Sequence, residues 1–111
     1  MLAITGASDG IGAEVARAAV ADGWRVVLAA RRRGLLDALA DELGGSAHAV
    51  AVTADVTEWD DVQGIPEAAL STFGRLDGVL ANAGFGAKRG FLSESPEFWK
   101  SMVLTNVYGA A

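Results

Sequence analysis

The stretch Gly6-Ala7-Ser8-Asp9-Gly10-Ile11-Gly12 constrains the fold more than any other part of the chain. It lies between the apolar run Leu2-Ala3-Ile4-Thr5 and a segment in which Ile11, Val15, Ala18 and Ala19 recur at helical spacing. A short, unbroken apolar run that stops at a glycine suits a strand buried on both faces of a parallel sheet. Glycines at the strand end and helix start permit a tight turn, close packing of helix on strand, and close approach of a ligand to the backbone. The first N–H groups of the helix point outward into that turn, where the helix dipole favours an anion. A dinucleotide pyrophosphate fits such a place. The spacing is G-x-x-x-G-x-G rather than Gly-x-Gly-x-x-Gly, so a plain strand-to-helix turn remains the alternative on this loop alone.

The rest of the chain repeats the pattern. Gly23 stops the first helix, and residues 24–30 form a second apolar strand that ends in Arg31-Arg32-Arg33. Leu35, Leu36, Leu39 and Leu43 line a second helix terminated by Gly44-Gly45, and a third strand covers about 48–54. Thr57 with Asp60 resembles a capping box opening a third helix, which Gly64 and Pro66 should divide into two short pieces ending near Gly74. Residues 78–81 form a fourth strand and 82–93 a loop. Ser95-Pro96 supplies an N-cap and first helical residue for a last helix. Trp24, Trp59 and Trp99 read as packing residues, and His48 as a strand-end residue. Alternating strands and helices with short joints imply an α/β fold, a right-handed, doubly wound parallel sheet.

Composition narrows the function. Half of the 111 residues are hydrophobic (51%) and 21% are charged, which excludes disorder and fits one domain, 1–111. The formal charge of −5 repels phosphate backbones and argues against nucleic-acid binding. There is no cysteine, hence no disulfide, thiolate metal site or cysteine nucleophile, and no metal centre is expected. No basic leader or cleavage signal follows Met1, and no apolar run approaches the roughly 20 residues of a membrane helix, so a cytoplasmic location without membrane contact is expected. The second strand bears on cofactor choice. An acid near its end would meet a free ribose 2′-OH, but residues 28–30 are Leu-Ala-Ala and three arginines follow. Guanidinium groups pair phosphates bidentately, which favours NADP(H) over NAD(H), although part of this run can equally be a solvated charged turn. Asp9 would oppose a phosphate nearby.

Four segments in order carry a family resemblance: residues 5–12, Asp55-Val56, Asn82-Ala83-Gly84, and Thr105-Asn106-Val107-Tyr108-Gly109. Together they resemble the N-terminal, cofactor-binding half of a short-chain dehydrogenase/reductase. The resemblance implies a Rossmann-type sheet of strand order 3-2-1-4, an NADP(H)-dependent oxidoreductase acting on a small carbonyl or alcohol substrate, and a homo-oligomer. By the same resemblance Gly6, Ser8, Asp9, Gly10, Ile11 and Gly12 line the pyrophosphate and neighbouring groups, and Arg31, with Arg32 beside it, meets the 2′-phosphate. Asp55 would read the adenine amino group beside Val56. A turn before a helix is the alternative role for Asp55. Asn82 would brace the central strands, while Ala83 and Gly84 admit the ribose. Asn106 matches the active-site asparagine that holds a water in a proton relay, with a local bend as its structural alternative.

The family's proton transfer uses a Tyr-x-x-x-Lys pair, one helical turn apart so that the ammonium lowers the phenol's pKa. The only tyrosine is Tyr108, and both lysines, Lys88 and Lys100, precede it. The chain therefore reads as truncated after the fourth strand and its helix, and as inactive by itself. A non-catalytic dinucleotide-binding or interaction module is the alternative function. A flavodoxin-like or receiver-type domain fits the glycine spacing and the arginines less well.

Overall fold

Unbroken apolar runs of four or five residues place apolar side chains on both faces of a strand, and the two such runs buried most fully here become the central strands of a sheet with helices on both sides. The computed structural model describes residues 1–86 and 93–111. The elements are β1 (Leu2–Thr5), α1 (Gly10–Ala21), β2 (Val26–Ala30), α2 (Arg33–Glu42), β3 (Ala49–Thr53), α3 (Trp59–Phe73), β4 (Gly78–Leu80) and α4 (Pro96–Val103), which continues as a π-helical turn over Leu104–Tyr108. The four strands are all parallel in the order β3-β2-β1-β4. In register, Ile4 lies opposite Leu28 and Leu80, and Leu28 opposite Ala51.

Alternation along the strands divides the interior. Ile4, Val26 and Leu28 face Ala13 and Ala16 of α1 and Leu36, Leu39 and Ala40 of α2. Ala3, Val27 and Ala29 face Ile65 and Ala69 of α3 on the other side. This is the doubly wound arrangement with strand order 3-2-1-4 expected from the sequence. Among the described residues no helix is long and apolar enough to cross a membrane. Of the expected loop over 82–93, residues 87–92 lie outside the described residues.

Several local expectations are corrected. Helix α3 is continuous through Pro66, because the packing of Ile65 and Ala69 on the sheet outweighs the one backbone bond that a proline removes. The capping box at Thr57 does not form: Glu58 is the N-cap, without a side-chain cap bond, and Thr57 turns back to Asp55 instead. The buried face of α1 is Gly12, Ala13 and Ala16, with Ile11 74% exposed and Ala18 outward. Small side chains let this helix lie close to the strands, so the larger Ile11 is turned away from them. Leu35 and Trp59, expected in the interior, are 43% and 66% exposed. The helix stops hold: Gly23, Gly44 and Gly74 have positive φ at or just past the ends of α1, α2 and α3. Ser95 caps α4 by accepting a bond from the Phe98 amide at 3.1 Å, with Pro96 as the first helical residue.

Candidate functional site

A cleft of about 510 Å³ opens at the carboxyl ends of the strands. It sits where β2 and β4 leave β1 in opposite directions, the switch point at which open parallel sheets bind ligands. Its floor and walls come from the β1–α1 loop, the ends of β2 and β3, the segment after β4, and Thr105 in the turn that follows α4.

The loop shows why glycine is needed at two of its positions. Gly6 has φ +65°, and a Cβ there would stand 2.8 Å from the Ala83 Cα. Gly10 has φ +58°, and a Cβ there would meet nothing within 4 Å. Beside Gly10, at the first turn of α1, there is thus open space that a ligand could enter. Asp9 is the N-cap residue of α1, but its side chain makes no cap bond, and the first turn holds no acidic residue. The helix N-terminus therefore presents its N–H groups and positive dipole end to the cleft without a competing carboxylate cap. Those features fit a pyrophosphate. Gly12 serves differently: it is buried beneath the loop, where a Cβ would come 2.5 Å from the Gly6 carbonyl oxygen and 2.7 Å from the Asn82 amide nitrogen.

The three arginines separate into three environments. Arg33 lies in α2 and pairs with Asp37 one turn on, through a 2.9 Å bond. Arg32 donates from one Nη2 to the Asp9 carboxylate (2.8 Å) and the Ser8 hydroxyl (3.2 Å), reaching across the cleft rim to the glycine loop. Arg31 also lines the cleft and makes no hydrogen bond or ion pair among the described residues. Asp55 lies on the far side of β2 at the end of β3. Its Oδ1 accepts from both the Thr57 amide (2.9 Å) and the Thr57 hydroxyl (2.6 Å), and its own amide donates to Asp61. These two bonds from Thr57, with the nearby positive charge of Arg31, hold the Asp55 carboxyl below its ordinary pKa against a smaller opposing effect of burial. Oδ2 carries neither bond, so the carboxylate is both a turn residue and an acceptor facing the cleft.

On the third side, Asn82 ties β4 to β1. Its Nδ2 donates to the Thr5 and Gly6 carbonyls at 3.2 and 3.3 Å, while the Asn82 and Ala83 amides donate to the Thr5 hydroxyl. Asn106 lies in the π-helical turn, closed by the Gly109 amide donating to the Leu104 carbonyl at 2.7 Å. Such turns displace a helix locally and are frequent at functional sites. The Asn106 amide pairs with the Phe85 backbone in both directions: Oδ1 accepts from the Phe85 amide at 3.0 Å, and Nδ2 donates to its carbonyl at 2.7 Å. Gly84 is needed for this approach, since a Cβ there would stand 2.8 Å from Asn106 Oδ1. After these bonds the side chain keeps one N–H and one lone pair with which a water could be held.

The expected residues thus converge. Gly6, Ser8, Asp9, Gly10, Ile11, Arg31, Arg32, Asp55, Val56, Asn82, Ala83 and Gly84 all border the cleft. Gly12 lies beneath it, and Asn106 stands behind Phe85. Ala30, Ala54, Phe85 and Thr105 also line it and were not anticipated. Thr105 opens the segment that carries Asn106 and Phe85 follows Asn82-Ala83-Gly84, so adjacency was the available signal; Ala30 and Ala54 carry no chemical signature.

The family model described as short chain dehydrogenase matches residues 1–111. The uncharacterized oxidoreductase YxnA of Bacillus subtilis is 43% identical over 110 residues, which are 98% of this chain and 31% of that protein. The crystal structure of 3-ketoacyl-(acyl-carrier-protein) reductase from Brucella melitensis, complexed with NADH, superposes with a TM-score of 0.91 at 37% identity, over 97% of this chain and 44% of that one. The closed form of serine dehydrogenase complexed with NADP+ gives 0.86 at 27% identity, covering 98% and 44%. The chain therefore spans between about a third and a half of the length of these relatives.

Proposed function

The chain belongs to the short-chain dehydrogenase family, and from that membership we propose that residues 1–111 form the NADP(H)-binding part of a cytoplasmic, homo-oligomeric oxidoreductase. The enzyme transfers hydride between the nicotinamide and a small carbonyl or alcohol substrate. The observation that carries the cofactor assignment is Arg31, a cation that makes no hydrogen bond or ion pair among the described residues, on the same cleft as the open helix N-terminus at Gly10. The bound nicotinamide would supply the hydride carrier. The chain's own residues do the rest: Gly6 and Gly10 let the pyrophosphate reach the backbone, and Arg31 neutralises the 2′-phosphate. Asp55 Oδ2 accepts from the adenine amine beside Val56. Asn82 fixes the wall formed by Ala83 and Gly84, and Asn106 contributes to proton transfer by holding a water with the polar atoms left over from Phe85.

Arg31→Ala tests the assignment by direct binding. The Kd for NADPH is expected to rise by about tenfold or more while that for NADH moves little, as for a charge-assisted contact to a phosphate. Equal weakening of both cofactors would remove the 2′-phosphate role. Residues 1–111 alone are expected to bind cofactor without turnover, which NADPH oxidation with a carbonyl substrate would contradict.

A further inference from the structure

The Arg32–Asp9 pair spans the rim of the cleft, joining the glycine loop to the residue that precedes α2. We propose that this pair is a specificity-setting clasp: Asp9 holds Arg32 away from the 2′-phosphate, so that Arg31 alone selects NADP(H) and the site discriminates less sharply than its arginines would allow. The proposal rests on the reading of this cleft as an NADP(H) site. Its geometry is independent of that reading. One guanidinium nitrogen of Arg32 is shared by two acceptors from adjacent loop residues, Asp9 Oδ2 at 2.8 Å and Ser8 Oγ at 3.2 Å. Asp9 is free to do this because its carboxylate does not cap α1, the usual task of an aspartate at an N-cap. Arg31, one residue away on the same cleft, has no such partner among the described residues.

A 2′-phosphate arriving beside Arg31 meets a rim whose second cation is already matched by a carboxylate. Both acceptors sit on Arg32 Nη2, and each paired face of a guanidinium uses an Nη2 hydrogen, so one loop acceptor would have to be given up before Arg32 could form the paired bonds that a guanidinium makes to a phosphate. The remaining Asp9 charge would then oppose the phosphate directly. Neutralising Asp9 removes both obstacles and converts Arg32 into a second phosphate ligand.

The test is direct binding of NADPH and NADH to the full-length protein carrying Asp9→Asn, Asp9→Ser, Arg32→Ala, or Asp9→Asn with Arg32→Ala, with Arg31→Ala as a control. Asp9→Asn is expected to tighten NADPH about tenfold while NADH stays within about twofold, and Asp9→Ser to do the same. Arg32→Ala alone is expected to change the NADPH-to-NADH ratio by less than about threefold, and on the Asp9→Asn background to abolish the gain. The clasp is overturned if Asp9→Asn leaves the ratio unchanged, if its gain survives loss of Arg32, or if Arg32→Ala alone weakens NADPH about tenfold. Should Arg31→Ala still weaken NADPH selectively in those cases, the clasp fails alone; should Arg31→Ala weaken both cofactors equally, the NADP(H) assignment fails with it.

Discussion

Asp55 does two jobs with two oxygens, and its acidity records the first of them. The Thr57 hydroxyl and amide both bind Oδ1, so the folded carboxyl titrates below its unfolded value. A lowered folded pKa gives stability that is complete above the unfolded carboxylate value of about 3.9 and is lost as pH falls through the folded value. Thr57→Val removes the hydroxyl bond and keeps the shape. The Asp55 pKa, followed by carboxyl NMR, should rise toward the ordinary carboxylate range, and an unmoved titration would show that the hydroxyl is not the cause. The glycines differ equally sharply at this scale. Gly12→Ala drives a Cβ into the Gly6 carbonyl and should lower stability by about 2–3 kcal/mol, whereas Gly10→Ala strains only its own left-handed backbone, at about 1 kcal/mol. Denaturant unfolding of the two variants should give that order.

At the scale of elements, α3 is where local preference and packing disagree. Gly64 and Pro66 both argue for a break, yet the helix runs from Trp59 to Phe73 because Ile65 and Ala69 are held against β1–β3. Proline in a helix interior is about 3 kcal/mol worse than alanine, offset by about 1 kcal/mol because it also restricts the unfolded chain. Pro66→Ala should therefore raise stability by about 2 kcal/mol in a urea titration. No gain would mean that the helix already accommodates the proline by bending. The π-helical turn after α4 shows the opposite case, in which polar residues fix an irregular element. Asn106, a poor helix former, takes the Phe85 backbone as its partner, and Phe85 in turn meets the Phe98 ring edge-on at 5.6 Å.

For the whole molecule, the sheet has two edges, and β4 is one of them. Val79 on that strand is 59% exposed, next to backbone groups that could pair with a further strand. Residues 1–111 in isolation should consequently self-associate in sedimentation experiments, and Val79→Lys should reduce that association. A monodisperse, cooperatively melting 1–111 segment would argue that the edge is already protected.

The apolar runs, the helix-stopping glycines and the loop of residues 6–12 determined the order of strands and helices and the winding of the sheet by themselves, because periodicity and left-handed glycine are properties of short stretches. The same local signals could not say which face of α1 is buried, whether α3 survives its proline, or which of three adjacent arginines stays unpaired. Those outcomes depend on contacts between residues far apart in the chain: Gly12 on Asn82, Ile65 on the sheet, Arg32 on Asp9, Asn106 on Phe85. Only the folded sheet brings these pairs together, so no short stretch of sequence carries the signal for them.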